Sequence, residues 1–265
     1  MKQLLLAVLL LFISAAAASD SEITAEQLKE YAAVCDKQKD PDYCWTVADQ
    51  YENQGKMSSA IAYYRKACNL DDGPACHRLG MLYHEGIYVK QDSRQAGDFF
   101  ASGCDAGLYY SCYNLGYLYK EGIGRSKNDA KAVDLYLKSC ENDVASACFN
   151  LALLYERGDT VAQSDQHALQ RYQQACALNH ALSCNNAGYM HQAGRGAPAN
   201  ASKAFSYYQK SCELNEGIGC YNVGLQYYNG TGAPQNTNLA KQYLRKSCDL
   251  AYEDGCKNYA LLAEN

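Results

Sequence analysis

"DAGLYYSCYNLGYLYKEGIGRSKNDAKAVDLYLKSC", residues 105–140, stands residue over residue above "ENDVASACFNLALLYERGDTVAQSDQHALQRYQQAC", residues 141–176, when the chain is written in rows of 36. The cysteines set that row length. One member of each pair recurs at Cys68, Cys104, Cys140, Cys176, Cys212 and Cys248, and its companion follows eight residues later at Cys76, Cys112, Cys148, Cys184, Cys220 and Cys256. Cys35 and Cys44 add a seventh pair, nine apart. A fixed period of this length marks stacked repeats. The units run 36–68, 69–104, 105–140, 141–176, 177–212 and 213–248, with a half unit at 249–265 and a capping helix expected at about 22–35.

Within a unit the small residues mark close approaches. Gly80, Gly116, Ala152, Gly188, Gly224 and Ala260 form one row and Ala60, Ala96, Ala132, Ala168, Ala204 and Ala240 another. Side chains this small let two helices cross tightly. Gly86, Gly122, Gly158, Gly194 and Gly230 follow each "LGYLY"-like run, where a helix end favours a left-handed residue. Each unit therefore reads as a helix A (for example Ser111 to Glu121), a Gly-rich turn and a helix B (Asp129 to Cys140). Leu115, Leu118 and Tyr119, like Val133, Tyr136 and Leu137, keep helical spacing, and no segment alternates as a strand does. The predicted fold is all-α: a right-handed α/α superhelical solenoid, tetratricopeptide-like but two residues longer per unit.

The first cysteine of each pair closes helix B and the second opens the next helix A, with about four loop residues between. Helices joined by so short a loop run side by side, so the terminal turns bring two sulfurs within bonding reach. The expected bridges are local: Cys35–Cys44, Cys68–Cys76, and so on to Cys248–Cys256. Zinc favours closer ligand spacing and a redox site favours C-x-x-C; neither pattern occurs, and no metal or cofactor is expected.

Fourteen cysteines, an even number, suit an oxidising compartment. The start of the chain agrees: Lys2, an apolar run from Leu4 to Ile13, and an Ala-x-Ala site ending at Ala18 read as a signal peptide over 1–18. The alternative for this stretch is a buried or interfacial first helix. The apolar run is about 10 residues, half of what a membrane span needs. Residues 19–265 then form one exported repeat domain, periplasmic or secreted, expected as a monomer. Without Lys2 there remain 23 basic against 29 acidic residues, a net charge of -6 with no basic block, which argues against nucleic acid as partner.

The motifs "LGYLYKEGIG" and "KAVDLYLKSC" resemble Sel1-like repeats, and a cysteine pair in every unit is similar to the exported Helicobacter cysteine-rich proteins. The resemblance covers residues 35–265; the unit 141–176 departs from it, with "RGDTVAQ" where "EGIGRSK" is typical. It implies a scaffold that binds proteins or peptides. It also implies a second possibility, a β-lactam-binding or weakly β-lactam-hydrolysing protein, with a β-lactam or a cell-wall peptide as ligand.

The residues themselves offer no catalytic motif. S-x-x-K and K-T-G are absent, "SCN" at 183–185 and "YEN" at 51–53 are chance matches, and His77, His84, His167, His180 and His191 are scattered. Binding has better candidates. Asn114, Asn150, Asn186, Asn222 and Asn258 recur two residues after the second cysteine, and a ladder of amides offers donors and acceptors to an extended peptide. Tyr113, Tyr117, Tyr189 and Tyr221 stand close by on helix A, with large stiff rings and polar tips. The alternative is structural: the amides satisfy loop carbonyls and the tyrosines pack between helices.

Overall fold

A computed structural model describes residues 23–158 and 160–263. The expected signal peptide lies outside the described residues. Fourteen helices and no strand occur among them: α1 (Ala25–Gln38), α2 (Pro41–Asn53), α3 (Met57–Cys68), α4 (Gly73–Glu85), α5 (Ser93–Asp105), α6 (Tyr109–Glu121), α7 (Asp129–Cys140), α8 (Ala145–Arg157), α9 (Asp165–Ala177), α10 (Ala181–Ala193), α11 (Ala201–Glu213), α12 (Gly217–Asn229), α13 (Thr237–Asp249) and α14 (Glu253–Ala263). Even-numbered helices from α2 are the A helices and odd-numbered ones from α3 the B helices. Each packs on its sequence neighbours, which makes a solenoid rather than a globule with one centre.

Local chemistry fixes the helix ends. Asp92, Asn128, Ser164, Asn200 and Asn236, spaced 36 apart, each accept a backbone N–H in the first turn of a B helix. The A helices α4, α6, α8, α10 and α12 end on the glycine row in left-handed conformation, Gly158 of the divergent unit included. Helix α6 starts at Tyr109, two residues before the expected Ser111, because Gly107 at φ 86° turns the chain and the Leu108 carbonyl already accepts from Ser111. The first helix, α1, begins at a capping box on Thr24 and runs three residues past Cys35.

Seven disulfides join the expected partners, with Cα–Cα distances from 4.4 to 4.9 Å. Each clips the end of one helix to the first turns of the next. The small rows sit at crossings. The six alanines of the B row are fully buried. Within each unit the other row faces the residue four before the first cysteine of the closing pair: a Cβ on Gly80 would reach 2.5 Å from the Phe100 ring, and one on Gly188 would reach 2.8 Å from Tyr208. Helix A thus lies so close to helix B that at Gly80 and Gly188 even an alanine Cβ would force the facing ring to shift.

Candidate functional site

The inside of a curved stack crowds its helices more than the outside does. Non-consecutive helices approach closely in α4–α6, α10–α12 and α12–α14, all A helices, against one B pair, α3–α5. The A helices therefore line the concave side. Most of the exposed apolar surface lies on them as well: Tyr43, Tyr110, Tyr117, Leu182, Tyr189, Tyr228 and Leu261 are A-helix residues, and the exposed Ile87 and Tyr88 lie in the turn after α4.

One row runs along this face from α4 to α14. Five residues after the second cysteine of each pair from Cys76 onward stand Met81, Tyr117, Leu153, Tyr189, Leu225 and Leu261, all apolar or aromatic, whereas the same step from Cys44 reaches the exposed Asp49. Tyr117, Tyr189 and Leu261 are 40%, 52% and 60% exposed, and the others are half-buried. Helices α10 and α12 contain no Asp, Glu, Lys or Arg at all, whereas α2 and α4 carry Asp42, Asp49, Glu52, Arg78 and Glu85. The face is charged at its N-terminal end, loses all charge over α10 and α12, and regains it on α14 at Glu253, Asp254 and Lys257.

The asparagine row is half-buried, and Asn114, Asn150, Asn222 and Asn258 are tied sideways to the previous A helix, while Asn186 reaches Tyr172 on the B helix α9. Asn222 donates to Asn185 Oδ1 at 2.8 Å, Asn258 donates to the Tyr221 hydroxyl at 3.1 Å, and Asn114 lies 3.6 Å from Met81 Sδ. Asn150 neighbours the phenols of Tyr113 and Tyr136, and Asn186 neighbours Tyr172. These amides staple adjacent units rather than bonding loop carbonyls. An amide has two N–H donors and two acceptor lone pairs, so a single staple leaves hydrogen-bonding capacity over. Of the tyrosines singled out in the sequence, Tyr117 and Tyr189 face solvent. Tyr113 packs on Tyr136 at 5.8 Å and Tyr221 on Tyr252 at 5.3 Å.

Beneath the face, the residue four before the first cysteine of the closing pair is Tyr64, Phe100, Tyr136, Tyr172, Tyr208 or Leu244, all buried. Tyr64, Tyr172 and Tyr208 reach across to Glu52, Glu156 and Gln192, with hydroxyl distances of 2.7, 2.8 and 3.0 Å. Burial raises the pKa of all four tyrosines, so they stay protonated. Where the row holds Phe100, a cavity of about 250 Å³ opens among Met81, His84, Tyr113, Asn114 and Tyr117. Where it holds Leu244, one of about 160 Å³ opens among Leu225, Tyr228, Asn258, Leu261 and Leu262. The two cavities are the same site, four repeats apart. The sequence reading singled out residue types, Asn and Tyr; writing every column of the repeat would have shown the apolar row and the two breaks in the tyrosine row.

Two Ser–His side-chain pairs occur among the described residues. His77 Nδ1 lies 3.0 Å from Ser111 Oγ, and His180 Nδ1 lies 2.9 Å from Ser183 Oγ. Both serines are fully buried, so neither oxygen is presented to a substrate. Burial also lowers the pKa of His77 and His180, which keeps the rings neutral. No group of three or more His, Cys, Asp or Glu able to hold a metal ion occurs among the described residues. Nor, among them, is any helix long and apolar enough to cross a membrane.

The Sel1 repeat model matches residues 73–108, 110–144, 145–180, 181–216 and 217–252, and a tetratricopeptide repeat model matches 41–74. Among solved structures, c5321, a protective antigen present in uropathogenic Escherichia coli strains, superposes with a TM-score of 0.83 at 25% identity, over 91% of this chain and 51% of its own. This chain thus spans about half the length of that relative. A Sel1 repeat protein from Oxalobacter formigenes superposes with a TM-score of 0.71 at 23% identity, over 80% of this chain and 86% of its own. Helicobacter pylori cysteine rich protein B is 31% identical over 49% of this chain and 94% of its own, with a TM-score of 0.41. No curated protein matches. With five consecutive matched units in the register set by its cysteines, the chain belongs to the Sel1 repeat family.

Proposed function

We propose that this protein is an exported scaffold whose concave face binds an extended, uncharged stretch of another polypeptide. The observation that carries this is the continuous apolar row from Met81 to Leu261, flanked by amides, on helices that lose all charge at α10 and α12. Apolar area drives binding, and spare amide groups match a peptide backbone that has no partner strand. A charged segment would lose its hydration over α10 and α12 without finding a counter-charge. Seven disulfides suit the periplasm or the exterior, where thiols stay oxidised. The β-lactam alternative draws on family resemblance alone.

The test is to pan a random 16-residue phage-displayed library on the wild type and on a Tyr117→Glu/Leu153→Glu/Tyr189→Glu variant of matching helicity and melting temperature. Clones poor in charge should be enriched on the wild type and lost on the variant. Equal enrichment on both proteins would overturn the proposal.

A further inference from the structure

In four of six units a tyrosine fills the space between two A helices and the B helix under them, and in two units it does not. The replacements have different consequences for polar groups. At Phe100 there is no hydroxyl to meet His84, which occupies the position that Glu52, Glu156 and Gln192 hold in the units of Tyr64, Tyr172 and Tyr208. His84 Nδ1 is buried and has no hydrogen-bond partner among the described residues. His84 is among the residues that line the 250 Å³ cavity. A buried polar atom left without a partner costs free energy, and a ligand group that satisfies it gains the difference. At Leu244 the walls are Leu225, Leu261 and Leu262, with Asn258 as an amide.

We infer that these two cavities are anchor pockets for one uncharged peptide, the Phe100 pocket taking a tyrosine-like side chain and the Leu244 pocket an aliphatic one. This rests on the concave-face function proposed above. The Phe100 pocket combines an aromatic floor with an unpaired ring nitrogen, which suits a ring that ends in a hydroxyl. The Leu244 pocket is smaller and lined by four leucines with Tyr228 and one amide, a mostly apolar wall that suits Leu or Ile. Neither lining contains Asp, Glu, Lys or Arg, so charge complementarity selects against a charged anchor at either end.

Spacing sets the length of the peptide. The pockets are four repeats apart, and a step of about 8–10 Å from one A helix to the next A helix places them roughly 30–40 Å apart along the inner face. An extended chain advances about 3.3 Å per residue, so the anchor side chains stand about 9–12 residues apart. Over the middle units, where Tyr136, Tyr172 and Tyr208 fill the floor, the peptide lies across Leu153 and Tyr189 without inserting a side chain.

The repeat itself supplies the variants that test this. Phe100→Tyr and Leu244→Tyr install the residue that four other units accept opposite the same small-residue row, so the fold tolerates them. The probe is a labelled 14-residue peptide of Ser, Asn, Thr and Gly with Tyr and Leu 11 positions apart, made in both orders. Companion peptides carry Ala in place of one anchor. Fluorescence anisotropy should show one order of the two-anchor peptide binding at least tenfold more tightly than either single-anchor peptide. Phe100→Tyr should remove the gain from Tyr alone, and Leu244→Tyr the gain from Leu alone. Equal affinity for all peptides, no binding by any of them, or indifference to both variants would overturn the anchor assignment. If all peptides bind equally and Leu153→Glu still abolishes binding, the concave-face function survives and the anchors do not. If panning also fails, both fall.

Discussion

The unit closed by α9 and the unit closed by α5 have the same backbone plan and opposite interiors. In the first, Tyr172 spans the gap and bonds Glu156, which Arg195 from the next turn also grips at 2.7 Å. In the second, Phe100 stops short, His84 Nδ1 goes unpaired and a cavity opens toward the concave face. One hydroxyl on one ring thus separates a sealed floor from an open one. Repetition fixes where a side chain stands; the side chain decides whether that position is structural or available to a ligand.

The largest expected effect tests whether the open and sealed units share the same frame. Replacing Cys104 and Cys112 with Ser, or Cys140 and Cys148 with Ser, removes a clip around a loop of about nine residues, worth about 2.6 kcal/mol in the chain-entropy model. The loss by urea denaturation should be the same for the open and the sealed unit, because both clips close the same loop at helix ends. A loss confined to one of them would break the comparison.

Opening a sealed unit comes next. Tyr172→Leu removes buried ring area and the bond to Glu156 while leaving Arg195 paired, and should cost about 2 kcal/mol. It should also create a third pocket, visible as a new site in a xenon-pressurised crystal.

A pH experiment sharpens the contrast at the N-terminal end. Hydrogen bonding from Arg78 holds the Glu52 carboxyl below its ordinary pKa against the opposing effect of burial, and the Tyr64 hydroxyl adds to the lowering. A carboxylate with a lowered folded pKa contributes stability that is present above its unfolded value, about 4.3, and is lost as pH falls through the folded value. Wild type should exceed Glu52→Gln by about 1 kcal/mol at pH 7, with the difference shrinking as pH falls from 5 toward 3. The smallest effect belongs to Phe100→Tyr. Its hydroxyl gains His84 as partner, so this unit should become more stable by about 0.5–1 kcal/mol while its pocket closes.

The frame was legible in the sequence because it repeats. The cysteine register gave the bridges, the row from Gly86 to Gly230 gave the helix ends, and the row from Gly80 to Ala260 gave the crossings. The chemistry was less legible because it lies in departures from the repeat. Asn150 and its equivalents stood out as a column, yet a column does not say whether an amide points along the stack or away from it, and most of them bond sideways. Phe100 and Leu244 look like conservative exchanges for tyrosine. Their meaning depends on what stands across the gap, and His84 and Tyr228 lie 16 residues from them in sequence. The first two residues of helix α6 were missed for a related reason: the left-handed Gly107 fixes where that helix starts, and the cysteine spacing does not reveal it.

The concave face itself is open to one direct measurement. Methyl NMR spectra of protein labelled at Met and Leu would be recorded during titration with the uncharged 14-residue peptide. Shifts at Met81, Leu153, Leu225 and Leu261, with Leu135 and Leu239 on the B helices unmoved, are the expected result. Shifts centred on the B helices, or none at all at saturating peptide, would contradict a peptide-binding concave face.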